Sequence, residues 1–266
     1  MSKEMKIKII GAGGIGSHLV LPLSRYVASL NVPVSITIID GDEVKEHNLF
    51  NQNFRIIGVN KAEALKNSIP KELHRKEISI WAVKEYLTPK NISKYISNGD
   101  IVFLCVDNHF TRKFVNRYCI TLNNIVLFSS GCGLTDGTAR MLFKLDSGFQ
   151  TTDLEYLDSA IGKATAVELM EKLEQRAEAD CEEVAQTNPQ LIWANMQCAT
   201  LLGEMFYQFM QEAGTVVAGA FKLYGTQSPI IYFDLSNGQK RVISGHFNDA
   251  VMNWEKHLER IRTEPL

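Results

Sequence analysis

The sequence predicts an α/β protein built on a doubly wound, mainly parallel sheet, and three observations carry that expectation. Short apolar, β-branched runs alternate with helical patterns over residues 6–145. A glycine array, Gly11-Ala12-Gly13-Gly14-Ile15-Gly16, stands between the first run and the first helix. Two later runs stop on aspartates, Asp40 and Asp107, at strand ends of the kind where open α/β sheets bind ligands.

Taken in order, KIKIIGAGGIGSHLVLPLSRYVASL reads as a strand, a glycine turn and a helix. Pro22 is expected early in that helix, where a missing backbone donor costs least. VSITIID is a continuous β-branched strand of the type buried in parallel sheets. NKAEALKNSIP is a helix with Asn60 as its candidate cap and Pro70 just past its end. EISIWAV is a third strand, and IVFLCVD, after the turn residues SNGD, a fourth. NHFTRKFVNRYCITL is a helix, IVLFSSG a strand, and TARMLFKL an alternating strand after the turn TDG. Such alternation implies an open, Rossmann-like sheet with right-handed crossovers.

Past residue 145, TAVELMEKLEQRAEADCEEVA is acidic and helical in pattern, a surface helix leading to a mobile loop. NPQLIWANMQCATLLGEMFYQFMQEAG is a long helix, apolar around most of its circumference and so expected to be buried. PIIYFDLSNGQKRVIS is a hairpin centred on Asn237-Gly238, and NDAVMNWEKHLERIR a closing amphipathic helix. The expected organisation is one domain, 1–266. Its half 1–145 binds nucleotide, and 146–266 carries the acidic helix and loop, the long buried helix, the β-hairpin and the last helix.

The composition agrees with one core and an appendage: 266 residues, 45% hydrophobic, with 28 basic side chains against 30 acidic. The near-neutral balance gives no electrostatic reason to expect nucleic-acid or membrane binding. MSKEMKIKIIGAGG is too short and polar before Gly11 for a signal peptide, and no apolar run approaches a membrane span. Cys105, Cys119, Cys132, Cys181 and Cys198 are odd in number with no close pair. Neither a disulfide framework nor a zinc ribbon is supported, which fits a reducing cytoplasm.

The glycine array lets phosphates lie against the free N–H groups of a helix N-terminus, without saying which nucleotide. Asp40 suits ribose hydroxyls, or else caps its own loop at Gly41. Lys61 opens a helix from which it can reach β- and γ-phosphates, a reach that hydride transfer does not need. Asp107, facing a triphosphate, suits magnesium, which takes one or two carboxylates plus phosphate oxygens. Taken singly, Asn48 and Gln52 are ordinary loop hydrogen bonders, Lys61 a solvated lysine and Asp107 a cap. Together they describe a nucleoside triphosphate–magnesium site.

GAGGIG, DGDEVKEHNLFNQNF, GVNKAEAL, CVDNHFTRKFVN and SSGCGLTDG, in this order, resemble the ThiF/MoeB/HesA superfamily of adenylyltransferases related to ubiquitin-activating enzymes. DCEEVAQTNPQLIWANMQCATLL and the IIYFDL hairpin are similar, more loosely, to compact ThiF-like proteins of PRTRC operons. The resemblance implies a transferase that adenylates the C-terminal carboxylate of a ubiquitin-like or sulfur-carrier protein ending in glycine, using ATP and magnesium. It implies that Gly11, Gly13, Gly14 and Gly16 line the phosphate loop and Asp40 holds the ribose, with Asp42 among the nucleotide-binding residues. Asn48, Gln52 and Lys61 contact phosphates and Asp107 holds the metal. Lys61 and Asp107, with Cys181 as acceptor of the acyl group, are the catalytic candidates. A homodimer, to which the helix Leu191 to Phe209 contributes, and a conjugating enzyme acting afterwards are further implications.

Three departures from the family pattern stand out. Asn51 occupies a position where relatives carry a phosphate-clamping arginine, for which Arg55 or Arg25 are the candidate substitutes. The Cys-x-x-Cys pairs that hold zinc in many relatives are missing, so no structural zinc is expected. The chain starts at its first strand, without the N-terminal arm that lends an arginine across the dimer in relatives. Cys181 lies in the polar stretch EADCEEVAQ, where flanking acids raise a thiol pKa, so an ordinary exposed cysteine is its alternative. The other four cysteines sit in apolar contexts and read as core. His18, His47, His74, His109, His246 and His257 show no metal spacing. Two other classes stay open: a catalytically silent adenylating fold serving as a binding subunit, and an NAD-dependent oxidoreductase.

Overall fold

The computed structural model describes residues 4–30, 32–73, 77–144, 192–216, 229–236 and 238–244. They form one eight-stranded sheet in the order β3-β2-β1-β4-β5-β6-β7-β8. β1 (Met5–Ile10), β2 (Val34–Ile39), β3 (Ile78–Val83), β4 (Asp100–Leu104) and β5 (Ile125–Cys132) run parallel. β6 (Asp136–Lys144), β7 (Pro229–Asp234) and β8 (Gln239–Ser244) continue it antiparallel. The chain winds outward from β1 to β3, then returns to place β4 on the other side of β1. That reversal opens a crevice at the carboxyl ends of β1 and β4, the place such sheets offer a ligand.

The near-unbroken β-branched strands predicted from sequence are apolar on both faces because helices cover both. Ile7 and Ile9 of β1 pack with α1 (Gly14–Ser29), α2 (Lys61–Ser68) and α5 (Ile192–Val216). Ile10 faces the opposite core, with Ile92 of α3 (Ile92–Tyr95) and Val115 and Cys119 of α4 (His109–Thr121). Phe206 of α5 is fully buried edge-on against Phe103 of β4 and Phe128 of β5, at ring separations of 5.4 and 5.9 Å. Truncating such a residue to alanine costs about 3–5 kcal/mol. One face of α5 is buried through Ala194, Asn195, Cys198, Leu201, Leu202, Met205 and Phe206, while Trp193, Met196 and Tyr207 point outward.

Asn60 caps α2 as expected, its side-chain oxygen accepting from the Glu63 N–H, an arrangement worth about 1 kcal/mol. Three details differ from the sequence reading. Pro22 lies in the middle of α1, exposed, and removes the backbone bond to His18 there rather than in the first turn. The hairpin connection spans four residues, because Asp234 pairs with Gln239. Asp234 Oδ1 accepts from the Ser236 N–H and hydroxyl, so the turn begins before Asn237-Gly238. The four-residue α3 and a 3₁₀ turn at Glu46–Phe50 were not anticipated. The acidic helix, Cys181 and the last amphipathic helix lie outside the described residues.

Candidate functional site

The crevice is built from strand ends inward. Gly11, with φ +91°, follows β1, and a Cβ there would lie 2.9 Å from the Cys105 carbonyl. A Cβ on Gly16 would lie 2.0 Å from the Gly11 carbonyl oxygen, so α1 can sit this close to the loop only with glycine at 16. Beside Gly13 there is open space. α1 starts at Gly14 with no side-chain cap, which leaves the N–H groups of its first turn directed at the crevice. This is the local chemistry of an anion site.

Asp40 sits one residue past β2 and is engaged by backbone. Its Oδ2 accepts from the Ala12 N–H at 2.6 Å and its Oδ1 from the Asp42 N–H at 2.8 Å. The carboxylate thus ties the glycine loop to the following loop and performs the capping role weighed from sequence, with lone pairs left for a ligand hydroxyl. Burial pushes its pKa up, opposed chiefly by the nearby Lys61 charge and reinforced by Asp42.

Lys61 is buried, and its Nζ lies 3.1 Å from Asp42 Oδ2. Asp42 Oδ1 also accepts from the Tyr86 hydroxyl, and the Tyr86 ring packs over Gly41. The Lys61 N–H and the Asn60 carboxamide both donate to the Asp42 carbonyl, at 2.8 and 3.0 Å, which pins the start of α2 to the loop. Asp40, Asp42 and Lys61 are therefore one network.

The opposite wall is neutral. Asn48 is buried and its Oδ1 accepts from the Lys45 N–H at 2.9 Å, closing the 3₁₀ turn. The Gln52 N–H donates to the Asn48 carbonyl, while Gln52 Oε1 is buried with no partner among the described residues. Asn51 Oδ1 is in the same condition. The Asn51 carbonyl accepts from His18 Nε2 and from Asn195 Nδ2, each at 3.3 Å. Burial lowers the His18 pKa and keeps the ring neutral; the Asn51 carbonyl acts the other way. Ser17 Oγ, in the first turn of α1, accepts from the Asn53 N–H at 3.0 Å.

Asp107 is exposed, three residues past the β4 end. Nearby, Arg112 is buried, its Nε and Nη2 donating to the Val106 carbonyl at 2.8 and 2.6 Å. Its guanidinium fills the space beside Gly131, where a Cβ would lie 2.1 Å from Nη1. Burial lowers the Arg112 pKa and the charge of Asp107 raises it. The candidate substitute cations Arg25 and Arg55 are both exposed, whereas Arg112 and, on β6 beside Ser129, Arg140 are buried. Cys105, Cys119 and Cys198 are buried and Cys132 half-buried. Burial pushes the Cys119 thiol up to about 12 and the Cys105 thiol higher still, the behaviour of inert core cysteines.

The structure thus brings together the glycine loop, Asp40, Asp42, Lys61, Asn48, Gln52 and, at the next strand end, Asp107. Tyr86, Arg112, Ser17 and Asn195 were missed. Only Asn195 left a trace in sequence, as an amide flanked by Ala194 and Met196 in a helix expected to be buried. Among the described residues there is no group of three or more metal-ligating side chains, and no described helix is long and apolar enough to cross a membrane. A single strand-end carboxylate suits an ion that arrives with phosphates rather than one held in a protein cage.

The sequence profile of the ThiF family matches residues 2–223. The adenylyltransferase and sulfurtransferase UBA4 of Lodderomyces elongisporus is 31% identical over 132 residues, 48% of this chain and 28% of that protein. The sulfur carrier protein ThiS adenylyltransferase of Escherichia coli is 26% identical over 131 residues, 49% of this chain and 50% of that protein. The chain therefore spans half or less of the length of these relatives. Among solved structures, E. coli MccB with ATP superposes with a TM-score of 0.62 at 18% identity, covering 92% of this chain and 65% of that one.

Proposed function

The chain belongs to the ThiF family, and from that premise we propose that it adenylates the C-terminal carboxylate of a ubiquitin-like or sulfur-carrier protein, with ATP as co-substrate. The observation that carries this reading is the charged ring around the open helix N-terminus. Asp40, the Asp42–Lys61 pair and Asp107 stand at neighbouring strand ends around a glycine loop that leads into the uncapped first turn of α1. In the reaction a carboxylate oxygen attacks the α-phosphorus, and the bond to the β-phosphate breaks with its electron pair leaving on pyrophosphate. An acyl-adenylate remains. Charge builds on phosphate oxygens, which the α1 N–H groups and the Lys61 ammonium would stabilise. Asp40 is the ribose candidate, and the buried oxygens of Asn51 and Gln52 are acceptors for ligand hydroxyls or water. Asp107 would hold magnesium, whose charge would offset that of the phosphates.

The relatives' names support the carrier-protein half of the proposal: one acts on ThiS and another couples adenylation to sulfur transfer. The reading extends to residues 1–266 as one cytoplasmic adenylation domain, acting as a homodimer and allied to the PRTRC-type proteins. Cys181 is its acceptor thiol: the thiolate attacks the acyl carbon, AMP leaves, and a thioester results that a conjugating enzyme can receive. A second reading, a silent binding subunit, is favoured by Asn51, a neutral residue where relatives place a cation.

Exchange of labelled pyrophosphate into ATP separates the two. Adenylation predicts exchange only when a small carrier ending in Gly-Gly is added, abolished in Asp107→Ala and retained in Cys181→Ala, which loses only a thiol-reducible adduct. ATP binding with no exchange beside any carrier would establish the silent subunit instead.

A further inference from the structure

We propose that Asn195 of α5 is a positioning residue, the amide that holds the phosphate loop at a fixed spacing from the loop carrying Asn51 and Gln52. The inference rests on the nucleotide-site reading above and adds a residue to it from the far end of the chain.

Asn195 is completely buried in a helix whose other inward residues are apolar, so its amide must find partners inside the protein. Both of its hydrogen bonds go to the site. Nδ2 donates to the Asn51 carbonyl at 3.3 Å, and Oδ1 accepts from the Cys132 thiol at 3.0 Å, at the carboxyl end of β5. The Asn51 carbonyl can only accept, so it orients the amide with Nδ2 towards it; the neighbouring Cys198 thiol, and then burial, push the Cys132 pKa up. The amide also lies flat against the phosphate loop: a Cβ on Gly14 would come within 2.6 Å of its Cγ, Nδ2 and Oδ1.

Small buried residues on the same side of α5, Ala194, Cys198 and Ala199, let the helix approach this closely. One side chain therefore touches the first residue of α1, the backbone of Asn51 and the end of β5. The Asn51 carbonyl is held from the other side by His18 of α1, and the next two residues are Gln52 and Asn53. Asn53 is itself tied to Ser17. Asn195 touches neither strand-end carboxylate, so its effect on a nucleotide passes through the spacing of the two loops.

The test uses the full chain with Asn195→Leu, which keeps the branched shape and removes both hydrogen bonds, and Asn195→Ser, which is smaller and leaves room for water. Amide hydrogen exchange is measured without nucleotide on peptides covering residues 11–18 and 49–54, and ATP affinity by titration. The proposal expects faster exchange in both peptides, with β2 and β4 unchanged, and ATP affinity lower by roughly three- to tenfold, the scale of one lost hydrogen bond. In carrier-dependent turnover the loss falls on KM for ATP, with KM for the carrier unmoved, a split that general destabilisation would not produce. If Asn195→Leu does not fold, Asn195→Ser decides alone. Wild-type protection in both peptides and unchanged ATP affinity in either folded variant would overturn the proposal. Failure of the wild-type chain to bind ATP would sink the nucleotide reading instead, and the exchange of the two peptides would still judge Asn195.

Discussion

The two walls of the crevice are built from opposite materials. On the side of β2 and α2, Asp40, Asp42, Lys61 and Tyr86 form a charged network in which each described polar group has a partner within the protein. Across the glycine loop, Asn48, Asn51, Gln52 and Asn195 are neutral, and two of their oxygens are buried without one among the described residues. A charged group left unpaired in a buried site costs several kcal/mol, whereas an unmet amide oxygen costs about 1–3 kcal/mol. The charged wall must therefore be complete before ligand arrives, and the neutral wall can wait for it. The first wall sets geometry and field; the second offers hydrogen-bonding capacity.

Breaking the charged wall should produce the largest effect. Lys61→Ala removes the buried cation of this wall and leaves Asp42 without its ion pair, so carrier-dependent pyrophosphate exchange should fall by roughly 10²–10³-fold. A fall of less than tenfold would move the phosphate-stabilising role elsewhere, with Arg112 the first residue to examine. Asp40→Ala comes next: it strands the Ala12 and Asp42 N–H groups and should lower stability by about 2 kcal/mol in urea titration, besides weakening ATP binding. If stability held while binding fell, Asp40 would be a ligand contact alone.

The neutral wall predicts the reverse pattern. Gln52→Leu removes a buried oxygen that has no partner among the described residues, so stability should hold or rise, by at most the cost of the unmet group, about 1–3 kcal/mol. ATP affinity should fall about fivefold, within the net value of one hydrogen bond. A stability loss above 1 kcal/mol would mean that the side chain is structural and the contrast between walls is false. The smallest effect concerns His18. Its folded-state pKa lies below the ordinary 6.5, so the unfolded chain binds the proton more tightly. Its contribution is fully present above pH 6.5 and is lost as pH falls from there towards the folded-state value. Replacing it in His18→Gln should flatten stability over that interval, and an unchanged slope would assign the proton uptake to another group.

What could be read from sequence divides along the same line. Residues whose partners lie a few positions away, or on an adjoining strand end, were legible: the glycine loop, Asp40 and the Asn60 cap follow from local chemistry. Lys61 was legible as a residue but not in its pairing with Asp42, because nothing in sequence distinguishes a buried first-turn lysine from a solvated one. Asn195 reaches Asn51 across 144 residues, and no spacing rule spans that distance. The parallel half of the sheet followed from alternating patterns. α3, at four residues, is too short to show a helical period, and the hairpin turn was displaced by an Asp234 side-chain bond that outweighed the Asn237-Gly238 signal. Arg25 and Arg55, the substitutes for the neutral Asn51 that the sequence suggests, are exposed, whereas the buried Arg112 and Arg140 come from α4 and β6.

The most direct test of the account is to identify the products. The full chain is incubated with ATP, magnesium, hydroxylamine and a ubiquitin-like protein ending in Gly-Gly, and nucleotide and carrier are analysed together. Attack at the α-phosphorus predicts AMP and pyrophosphate, with a hydroxamate on the carrier's C-terminal glycine, all lost in Lys61→Ala. ADP and phosphate as products, or intact ATP beside every carrier offered, would contradict it.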